Sequence, residues 1–458
     1  MTTSLTTHAP PPPGPRGHWL LRLNDEVTDP LGLLIRAWQR HGDIVHFNSV
    51  HGPMYLLAHP DHARHVLVDN ARNYPAPHKP PNRVMGNGLF QSGGDFWLRQ
   101  RSMVQPTFHR PRLVAMAAGL AEGIGLFAAR WEEAVRTGEP VDVLEHMRQL
   151  VPTLLGASLF SRDVYDDQES LRACVAFFSQ NSHGSARDSL WKVAMRRLRL
   201  PPSRARRFLA SVEALDASLY TLIARRRAHP GPGEDILGML LEARDASGEA
   251  MTDTEVRDEL VSLLIGGHEA TSVALAWTWY ALMSHPEVER RVREELATVL
   301  GGRPADGESL HALRYTRAVV EEVLRLYPPA WRFMRRAQED EQLGGFTIRG
   351  GGLVVLSPYL LHRHPSVWEE PERFDPERFL PERKEGRHRH AWLPFGGGQR
   401  LCIGNHYTLL LITAVLATLL PRFQARLVPG HPIVPLASNT YRPRFGVRAT
   451  LHSAPSRA

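Results

Sequence analysis

The feature that most constrains this fold is one long segment, Asp253–Ser284, whose apolar residues recur at three- and four-residue spacing. The middle of the segment is apolar on every side, so it predicts a helix that crosses the protein interior. Shorter stretches have the same spacing, namely residues 113–135, 141–159, 208–227, 286–300 and 310–326. The pattern therefore predicts a mainly α-helical protein.

The signals for strands are short and few. Residues 43–47 and 54–58 are apolar runs around Asn48 and Gly52, which predicts a hairpin. Residues 346–356 resemble a short strand pair broken by three glycines. Residues 73–94 are rich in Pro, Gly and Asn, which indicates a long loop, and loops of this length are usually functional or disordered. The predicted fold class is mainly α with small β-sheets.

Composition excludes several classes of protein. The chain has 458 residues and 55 Lys plus Arg against 48 Asp plus Glu. No nucleic-acid recognition motif accompanies this modest positive charge, so we do not expect nucleic acid as a partner. The two cysteines, Cys174 and Cys402, are too few for a disulfide framework or a cysteine-rich zinc site. A reducing, cytoplasmic compartment fits best.

The ends of the chain and its apolar runs suggest a soluble protein. Residues 1–17 are polar and proline-rich, and we expect them to be a flexible lead-in to a single domain formed by residues 18–458. Spanning a bilayer takes about 20 apolar residues. Residues 407–420 come nearest to this length but are too few, so we expect no membrane anchor.

The strongest chemical signal is the string Phe395-Gly-Gly-Gly-Gln-Arg-Leu-Cys402-Ile-Gly404. Consecutive glycines allow the backbone to approach a ligand closely. Cys402 stands at the start of an apolar helix, where N–H groups and the helix dipole stabilise a thiolate, the form of cysteine that binds iron. Arg400 is a fixed cation suited to a carboxylate. The alternative is a buried cysteine that only fills space beside a glycine turn.

This string resembles the haem loop of the cytochrome P-450 superfamily, Phe-x-x-Gly-x-Arg-x-Cys-x-Gly, at every fixed position. The matching residues are Phe395, Gly398, Arg400, Cys402 and Gly404. The resemblance implies haem b with Cys402 as the iron ligand. It also implies the cytochrome P-450 fold, in which the haem lies between the long central helix and the helix after the cysteine.

Further motifs resemble those with which the superfamily holds the haem propionates. Trp97 and Arg101 match a Trp-x-x-x-Arg pattern, and four-residue spacing places them on one helix face. Arg335 aligns with another propionate ligand, although the adjacent Arg336 is an alternative. The resemblance therefore implies that Trp97, Arg101, Arg335 and Arg400 surround the propionates.

A second pair of motifs implies a structural ion cluster. Glu322 and Arg325 match the superfamily's Glu-x-x-Arg signature and share a helix face. The segment Phe374-Asp-Pro-Glu-Arg378-Phe379 resembles the one that supplies a third member. Arg378 is the preferred candidate for it, and Arg373 is the alternative. In the superfamily this cluster supports the core beneath the haem and is not catalytic.

The long helix carries Gly266-Gly-His-Glu269-Ala270-Thr271-Ser272, where the superfamily has a small residue, Gly, any residue, an acid and Thr. The acid and alcohol deliver protons during oxygen activation, so Glu269 and Thr271 are the catalytic candidates. Ala270, however, occupies the threonine position. One residue rotates a helical side chain by about 100°, so Thr271 does not simply replace it. Thr271, a water or a substrate hydroxyl remain alternatives.

The resemblance also implies a pocket and a substrate class. Gly266, Ala270, Ala330 and Trp331 belong to segments that lie above the haem in the superfamily, and an apolar pocket suits a terpenoid, fatty acid or polyketide. An arginine-rich stretch, residues 196–207, lies where the superfamily has a mobile lid over the substrate channel. Contact with an anionic substrate or a membrane surface and simple solvation are both open readings of it.

Electrons must come from another protein, because no nucleotide-binding glycine motif is present. The resemblance implies a ferredoxin and its reductase, with NAD(P)H as the indirect donor. Arg383, Lys384, Arg387 and Arg389 precede the cysteine loop, and a basic patch there would attract an acidic ferredoxin; a merely solvated loop is the alternative.

The predicted activity is insertion of one oxygen atom from O2 into a hydrophobic small molecule by a monomeric, bacterial-type haem-thiolate monooxygenase. One alternative is a haem enzyme that uses peroxide or catalyses coupling or rearrangement. The other is a non-catalytic haem- or ligand-binding protein.

Overall fold

The computed structural model describes residues 9–15, 23–49, 52–77, 80–160, 203–230 and 235–454. Its helices in that part of the chain, in order, are α1 (Leu23–Thr28), α2 (Pro30–His41), α3 (Pro60–Arg64), α4 (Gly94–Val104), α5 (Arg110–Thr137), α6 (Val143–Phe160), α7 (Ser203–Ala228), α8 (Ile236–Glu242), α9 (Asp253–Ser284), α10 (Pro286–Leu300), α11 (Gly307–Ala312), α12 (Arg314–Leu326), α13 (Pro358–Leu361), α14 (Pro381–Lys384) and α15 (Asn405–Leu419).

The strands are short and form four small sheets within the described residues. They are β1 (Ile44–Ser49), β2 (Gly52–Leu57), β3 (Val141–Asp142), β4 (Phe333–Arg336), β5 (Glu341–Leu343), β6 (Phe346–Ile348), β7 (Leu353–Leu356), β8 (Phe423–Leu427), β9 (Pro435–Ala437), β10 (Tyr441–Pro443) and β11 (Arg448–Ser453). The sheet orders are β1-β2-β7-β4, β3-β11-β8, β9-β10 and β5-β6. The predicted fold class, mainly α with small sheets, is confirmed.

Helix α9 has the bounds that the apolar pattern predicted. Thr252 and Glu255 form a capping box, in which each side chain bonds the other residue's backbone N–H, and this fixes the start of the helix. Most of its side chains are buried, and it packs against α6, α12 and α15. Burial on all sides explains why the segment is apolar all round.

The structure bears out the predicted hairpin and corrects the second strand pair. β1 and β2 are antiparallel, with Ile44 opposite Leu57. β6 and β7 do not pair with each other. The chain turns at Gly351, whose φ is +81°, so that β6 pairs with β5 while β7 joins β2 and β4. All four residues of β7 are buried, which suits a central strand better than a hairpin edge.

The periodicity of residues 310–326 predicted one helix where the structure has two. The chain breaks at Leu313, whose ψ of 71° is not helical. The carboxylate of Glu295 accepts the backbone N–H groups of Tyr315 and Thr316, both at 2.7 Å. A side chain distant in sequence therefore caps the start of α12, which local periodicity could not reveal.

The glycine-rich loop before α4 is tied to α9. The N–H of Asn87 donates to Asp258 Oδ2 at 2.7 Å, and the N–H of Leu89 donates to Glu259 Oε2 at 3.1 Å. Gly86 makes this approach possible, because a Cβ there would lie 1.9 Å from Asp258 Oδ1. The loop therefore positions the start of α4, which carries Trp97 and Arg101.

The first residues described are bonded to the sheets. The carbonyl of Pro10 accepts the N–H of Thr347 at 3.0 Å, and that of Pro13 accepts the N–H of His46 at 2.9 Å. Proline keeps its acceptor although it lacks a donor, so an extended proline-rich segment can line a sheet. Residues 9–15 belong to the segment that we expected to be flexible, and these hydrogen bonds hold them against the sheets. Residues 1–8 and 16–17 lie outside the described residues.

We expected no stretch to be long and apolar enough to span a membrane. By length and composition alone, this expectation is wrong. Three helical stretches meet that criterion, namely Arg110–Thr137, Asp253–Ser284 and Gly398–Leu419. In the fold, 67% of the apolar window of Asp253–Ser284 is buried inside the protein, since this helix packs on its neighbours over most of its surface.

Candidate functional site

Glycines shape the loop that presents Cys402. Gly398 has a φ of +66°, and a Cβ there would lie 2.1 Å from the carbonyl oxygen of Leu67. Only glycine fits this left-handed conformation and close contact. The N–H of Cys402 donates to the carbonyl of Phe395 at 3.0 Å, which closes the loop before α15. The motif residues thus form one compact turn.

The Cys402 side chain is exposed, although protein surrounds it closely enough to change its chemistry. Burial raises the pKa of the thiol, while the N–H of Gly404 and the positive charge of Arg101 act in the opposite direction. Helix α15 begins three residues later, at Asn405. The N–H group that acts on the thiol, that of Gly404, therefore comes from the residue before the helix. A metal ion bound to the sulfur would add the stabilisation that a thiolate needs here.

Three arginines from separate elements converge beside Trp97, and we call Arg101, Arg335 and Arg400 the triple-arginine cluster. The Arg400 guanidinium lies over the Trp97 ring at 3.9 Å, and its Nη2 donates to the carbonyl of Ser92 at 2.9 Å. Burial and the charge of Arg400 lower the pKa of Arg335 to about 10. Burial and the charge of Arg101 lower the pKa of Arg400 to about 10.

The triple-arginine cluster fits an anionic ligand. Among the ion pairs of the described residues, none joins Arg101, Arg335 or Arg400 to a carboxylate. Arg335 and Arg400 line a cleft of about 660 Å³ that also contains Trp97 and Gly397 of the cysteine loop. Buried cations need a counter-charge. The two propionates of a haem whose iron meets Cys402 would supply it, so the residues present fit this cofactor.

The alternative propionate ligand, Arg336, lines the same cleft as Arg335 but makes different contacts. Its Nη1 donates to the carbonyl of Gly351 at 2.6 Å. Arg335 and Arg336 are neighbours in β4, so their side chains leave the strand on opposite faces. The charge of Arg400 acts on Arg335 and lowers its pKa.

A second group of charges lies fully inside the core, and we call Glu322, Arg325 and Arg378 the Glu322 cluster. Arg325 donates to both carboxylate oxygens of Glu322, at 2.7 and 2.8 Å, and both side chains have no exposed surface. Arg378 Nε lies 3.6 Å from Glu322 Oε1. Arg373, the alternative third member, is an exposed residue that pairs with Glu370.

The Glu322 cluster is connected to the cysteine loop through His362, which sequence reasoning missed. His362 Nε2 accepts the N–H of Leu393 at 2.7 Å, and Nδ1 therefore donates to the carbonyl of Arg325 at 3.0 Å. Burial lowers the pKa of His362 to about 3, so the ring is neutral at ordinary pH. Arg325 Nη1 also donates to the carbonyl of His362 at 3.0 Å.

The glycine-rich part of α9 has one open face and one packed face. Gly266 is exposed and Ala270 is partly so. Thr271 and His268 are each only 3% exposed and face the core. The structure therefore places Thr271 away from the face shared by Gly266 and Ala270, as the rotation of about 100° per residue requires.

Glu269, the candidate acid, is held by a residue that the sequence analysis did not select. Arg148 of α6 donates to both of its carboxylate oxygens, at 3.0 and 2.7 Å. The signal was present in the sequence: Leu144, Arg148 and Val151 fall on the inward face of α6, where a charge needs a partner.

The two predicted pocket residues after α12 separate in the structure. Ala330 is exposed. Trp331 is 1% exposed, packs with residues of β1, β2 and β7, and donates from Nε1 to the carbonyl of Ser438 at 2.9 Å. The ring of Trp331 therefore belongs to the core beside the sheet.

The predicted basic patch before the cysteine loop is largely satisfied within the protein. Arg383 pairs with Asp375 at 2.9 Å, and Lys384 lies 3.5 Å from Glu321. Arg387 stacks on Trp368 and donates to backbone carbonyls. Arg383 and Lys384 therefore have acidic partners, while among the described ion pairs none involves Arg387 or Arg389.

Another basic surface lies nearby, in a depression of about 290 Å³ at the start of α15. Its cationic and titratable residues are Arg110, His311, Arg317 and His406. Arg110 lies 3.8 Å from Glu308 and Arg317 lies 3.3 Å from Glu321. Burial, followed by the charges of Arg317 and His311, lowers the pKa of His406. We call it the basic depression. His406 is four residues after Cys402, so this surface lies close to the cysteine loop.

Two predicted features lie wholly or partly outside the described residues. Cys174 is outside them, and the arginine-rich stretch 196–207 is described only from residue 203 onward. Among the described residues, no group of His, Cys, Asp or Glu is arranged to hold a metal ion by itself.

Comparisons with known proteins identify the family to which the chain belongs. Residues 11–446 match the family model described as cytochrome P-450. The chain is 33% identical over 418 residues to cyclooctat-9-en-7-ol 5-monooxygenase of Streptomyces melanosporofaciens, covering 87% of this chain and 88% of that one. It is 31% identical over 417 residues to pentalenene oxygenase of Streptomyces avermitilis, covering 88% and 89%.

A similar solved structure is retinoic acid-bound cyanobacterial CYP120A1, with a TM-score of 0.84, 25% identity and coverage of 97% of this chain and 99% of that one. The predicted cytochrome P-450 fold is thereby confirmed. Enzymes of this family carry haem b and take electrons from NAD(P)H through redox partners. The chain belongs to the cytochrome P-450 family of monooxygenases.

Proposed function

We propose that the protein inserts one oxygen atom from O2 into a hydrophobic small molecule of the terpenoid class. The observation that carries the proposal is the triple-arginine cluster beside the exposed Cys402, with Arg335 buried and Arg101 and Arg400 half-buried. Together they match the charge and the ligand requirement of haem b. The terpenoid class, rather than a fatty acid or polyketide, is favoured by two relatives named for oxygenation of cyclooctat-9-en-7-ol and of pentalenene.

In this proposal each residue has one task. Cys402 ligates the iron, while Trp97, Arg101, Arg335 and Arg400 hold the propionates. When bound, the haem supplies activation of O2 by two electrons. Overall, a substrate C–H bond, O2, two electrons and two protons give an alcohol and water.

Glu269 stands at the open face of α9 and is proposed to pass protons toward the site. Because Ala270 has no hydroxyl and Thr271 is packed in the core, a water or a substrate hydroxyl is proposed to complete the path. Gly266, Ala270 and Ala330 are proposed to line the substrate pocket, since these small residues leave space on their exposed sides.

We propose that an acidic ferredoxin, reduced by its reductase, docks on the basic depression of a monomeric, cytoplasmic enzyme. Opposite charges steer such encounters and fix their orientation. Arg110→Glu should raise the KM for ferredoxin about tenfold at low salt. The matched control is Arg389→Glu in the originally predicted patch. Equal effects of the two substitutions would contradict docking at the depression.

The function itself is tested by supplying ferredoxin, reductase, NAD(P)H and a panel of terpene hydrocarbons, fatty acids and polyketides. Incorporation of one atom from labelled O2 into a terpenoid alcohol is the expected result. The absence of the threonine hydroxyl at Ala270 favours one alternative, a peroxide-driven enzyme. Turnover with peroxide that exceeds turnover with ferredoxin would establish that alternative and contradict the proposal.

A further inference from the structure

A proline in α6 frees a backbone acceptor opposite the candidate acid. Pro152 lies inside the helix and has no N–H, so the carbonyl of Arg148, four residues earlier, lacks its usual intrahelical donor. His268 Nε2 of α9 lies 3.2 Å from this carbonyl oxygen. A carbonyl can only accept, so His268 donates from Nε2 and carries its proton there.

The environment of His268 keeps this contact in one protonation state. Its side chain is 3% exposed, and burial lowers its pKa to about 4. The ring is therefore neutral at ordinary pH. The hydroxyl of Ser272, one helical turn further along α9, lies 2.8 Å from the carbonyl of His268 and 3.3 Å from that of Met147. Side chains of α9 thus meet two successive carbonyls of α6.

From this hydrogen-bonded part of the α6 backbone, the Arg148 side chain extends to the Glu269 carboxylate. It donates from Nε and Nη2 to the two oxygens, a bidentate geometry that fixes the orientation of a carboxylate. Arg148 is 9% and Glu269 26% exposed in their side chains. Thr440 Oγ1 lies 3.5 Å from Glu269 Oε1, and the charge of Arg442 also acts on this corner.

We propose that Arg148 is a positioning residue, which holds the Glu269 carboxylate in one orientation at the open face of α9. Pro152 leaves the carbonyl of Arg148 without an intrahelical donor, and His268 donates a hydrogen bond to it. This contact fixes the position of Arg148. Orientation matters more here than in a chain with a threonine, because Ala270 offers no second proton-bearing group. The effect of Arg148 on catalysis rests on the proposed role of Glu269 in passing protons, whereas its effect on the orientation of the carboxylate does not.

The first experiment compares Arg148→Gln and Arg148→Lys with the wild type. Arg148→Gln removes a largely buried positive charge beside the proposed proton path and should move the pH midpoint of kcat upward by about one unit. Product formed per NAD(P)H should fall roughly threefold, since a misplaced acid delivers protons less efficiently. Arg148→Lys keeps the charge and should restore most of the pH midpoint but less of the coupling.

Arg226→Gln is the matched control, because Arg226 makes a bidentate pair with Asp235, at 2.8 Å for both bonds, and is 11% exposed. We expect it to lower the thermal stability about as much as Arg148→Gln does, while leaving the pH midpoint and the coupling unchanged. The same changes in both variants would show that Arg148 acts only through stability and would overturn the positioning role.

A readout without turnover separates this inference from the proposed function. Infrared spectra of the Glu269 carboxylate, identified by its absence in Glu269→Gln, should show a carboxylate stretching band whose position changes in Arg148→Gln and changes less in Pro152→Ala, because the bidentate hydrogen bonds are lost or weakened. Nitrogen NMR should show the His268 proton on Nε2 in the wild type. An unchanged band in both variants overturns the positioning role. A changed band with unchanged kcat and coupling supports it and contradicts proton delivery by Glu269.

Discussion

Two clusters of arginines lie wholly or partly inside this protein, and they differ in what balances their charge. In the Glu322 cluster, Arg325 has a carboxylate on one side and the carbonyls of His362, Pro371 and Arg373 on the other. In the triple-arginine cluster, Arg400 has an aromatic ring and one carbonyl, and its nearest charges are positive. In one cluster the protein itself balances the charge of the arginines, whereas in the other the charge suits an anionic ligand.

The physical reason for this difference is the cost of removing an ion from water. A buried ion is tolerated when a partner and hydrogen bonds replace its hydration. The Glu322 cluster meets this condition within the chain. The triple-arginine cluster meets it when a dianion binds, so the folded protein without cofactor should be strained there and relieved by haem.

The largest expected effect is in the Glu322 cluster. Arg325→Met leaves Glu322 buried without its main partner, so the free energy of unfolding should fall by about 3–5 kcal/mol. Urea unfolding at neutral pH measures the change. Arg373→Met removes an exposed pair nearby and should leave the urea midpoint unchanged. If the two variants unfold at the same urea concentration, the cluster is not needed for the fold.

The second effect concerns pH. The pKa of His362 is about 3 in the folded protein and near 6.5 unfolded, so the unfolded chain binds more protons as pH falls. Stability should therefore drop by roughly 2–3 kcal/mol between pH 6.5 and pH 4.5 through this residue. His362→Gln can keep both bonds and should flatten this part of the profile. Parallel profiles for the two proteins would contradict the assignment.

The third prediction concerns Arg335, whose replacement should weaken haem binding without lowering the stability of the haem-free protein. Arg335→Gln should remove about 1.5–3 kcal/mol of binding to a propionate and speed haem loss roughly tenfold to a hundredfold. Without haem, the melting temperature should stay equal or rise, because repulsion with Arg400 is relieved. Arg336→Gln is the control and should change haem loss little. Faster haem loss in Arg336→Gln than in Arg335→Gln would exchange their roles.

The smallest effect distinguishes two glycines of the cysteine loop. Gly398→Ala forces a side chain into a left-handed conformation against Leu67, at a cost of about 1–3 kcal/mol. Gly404 has a φ of −88°, a conformation that any residue adopts, so Gly404→Ala should keep the backbone of the loop. Haem content per protein, from absorption, compares the two. Equal haem contents would remove the geometric reason for Gly398.

Short-range patterns in the sequence were sufficient for the fold class and for the residues of the cysteine loop. The apolar spacing of α9 and the fixed spacing of Gly398, Arg400 and Cys402 each depend on residues within a few helical turns. The same is true of Glu322 and Arg325, which lie three residues apart on one helix.

Features that depend on distant segments were not predictable in this way. Arg148 and Glu269 are 121 residues apart, and His362 and Leu393 are 31 apart. The ion pair between Lys384 of the basic patch and Glu321 of another helix was not predictable for the same reason.

The most direct test of the iron ligand is the absorption spectrum of the reduced protein with carbon monoxide, for the wild type and for Cys402→Ser, both purified from haem-replete cells. The wild type should show the Soret band of a thiolate-ligated haem, and the variant should lose it. A colourless wild type, or a thiolate-type band that persists in Cys402→Ser, would contradict the assignment of Cys402.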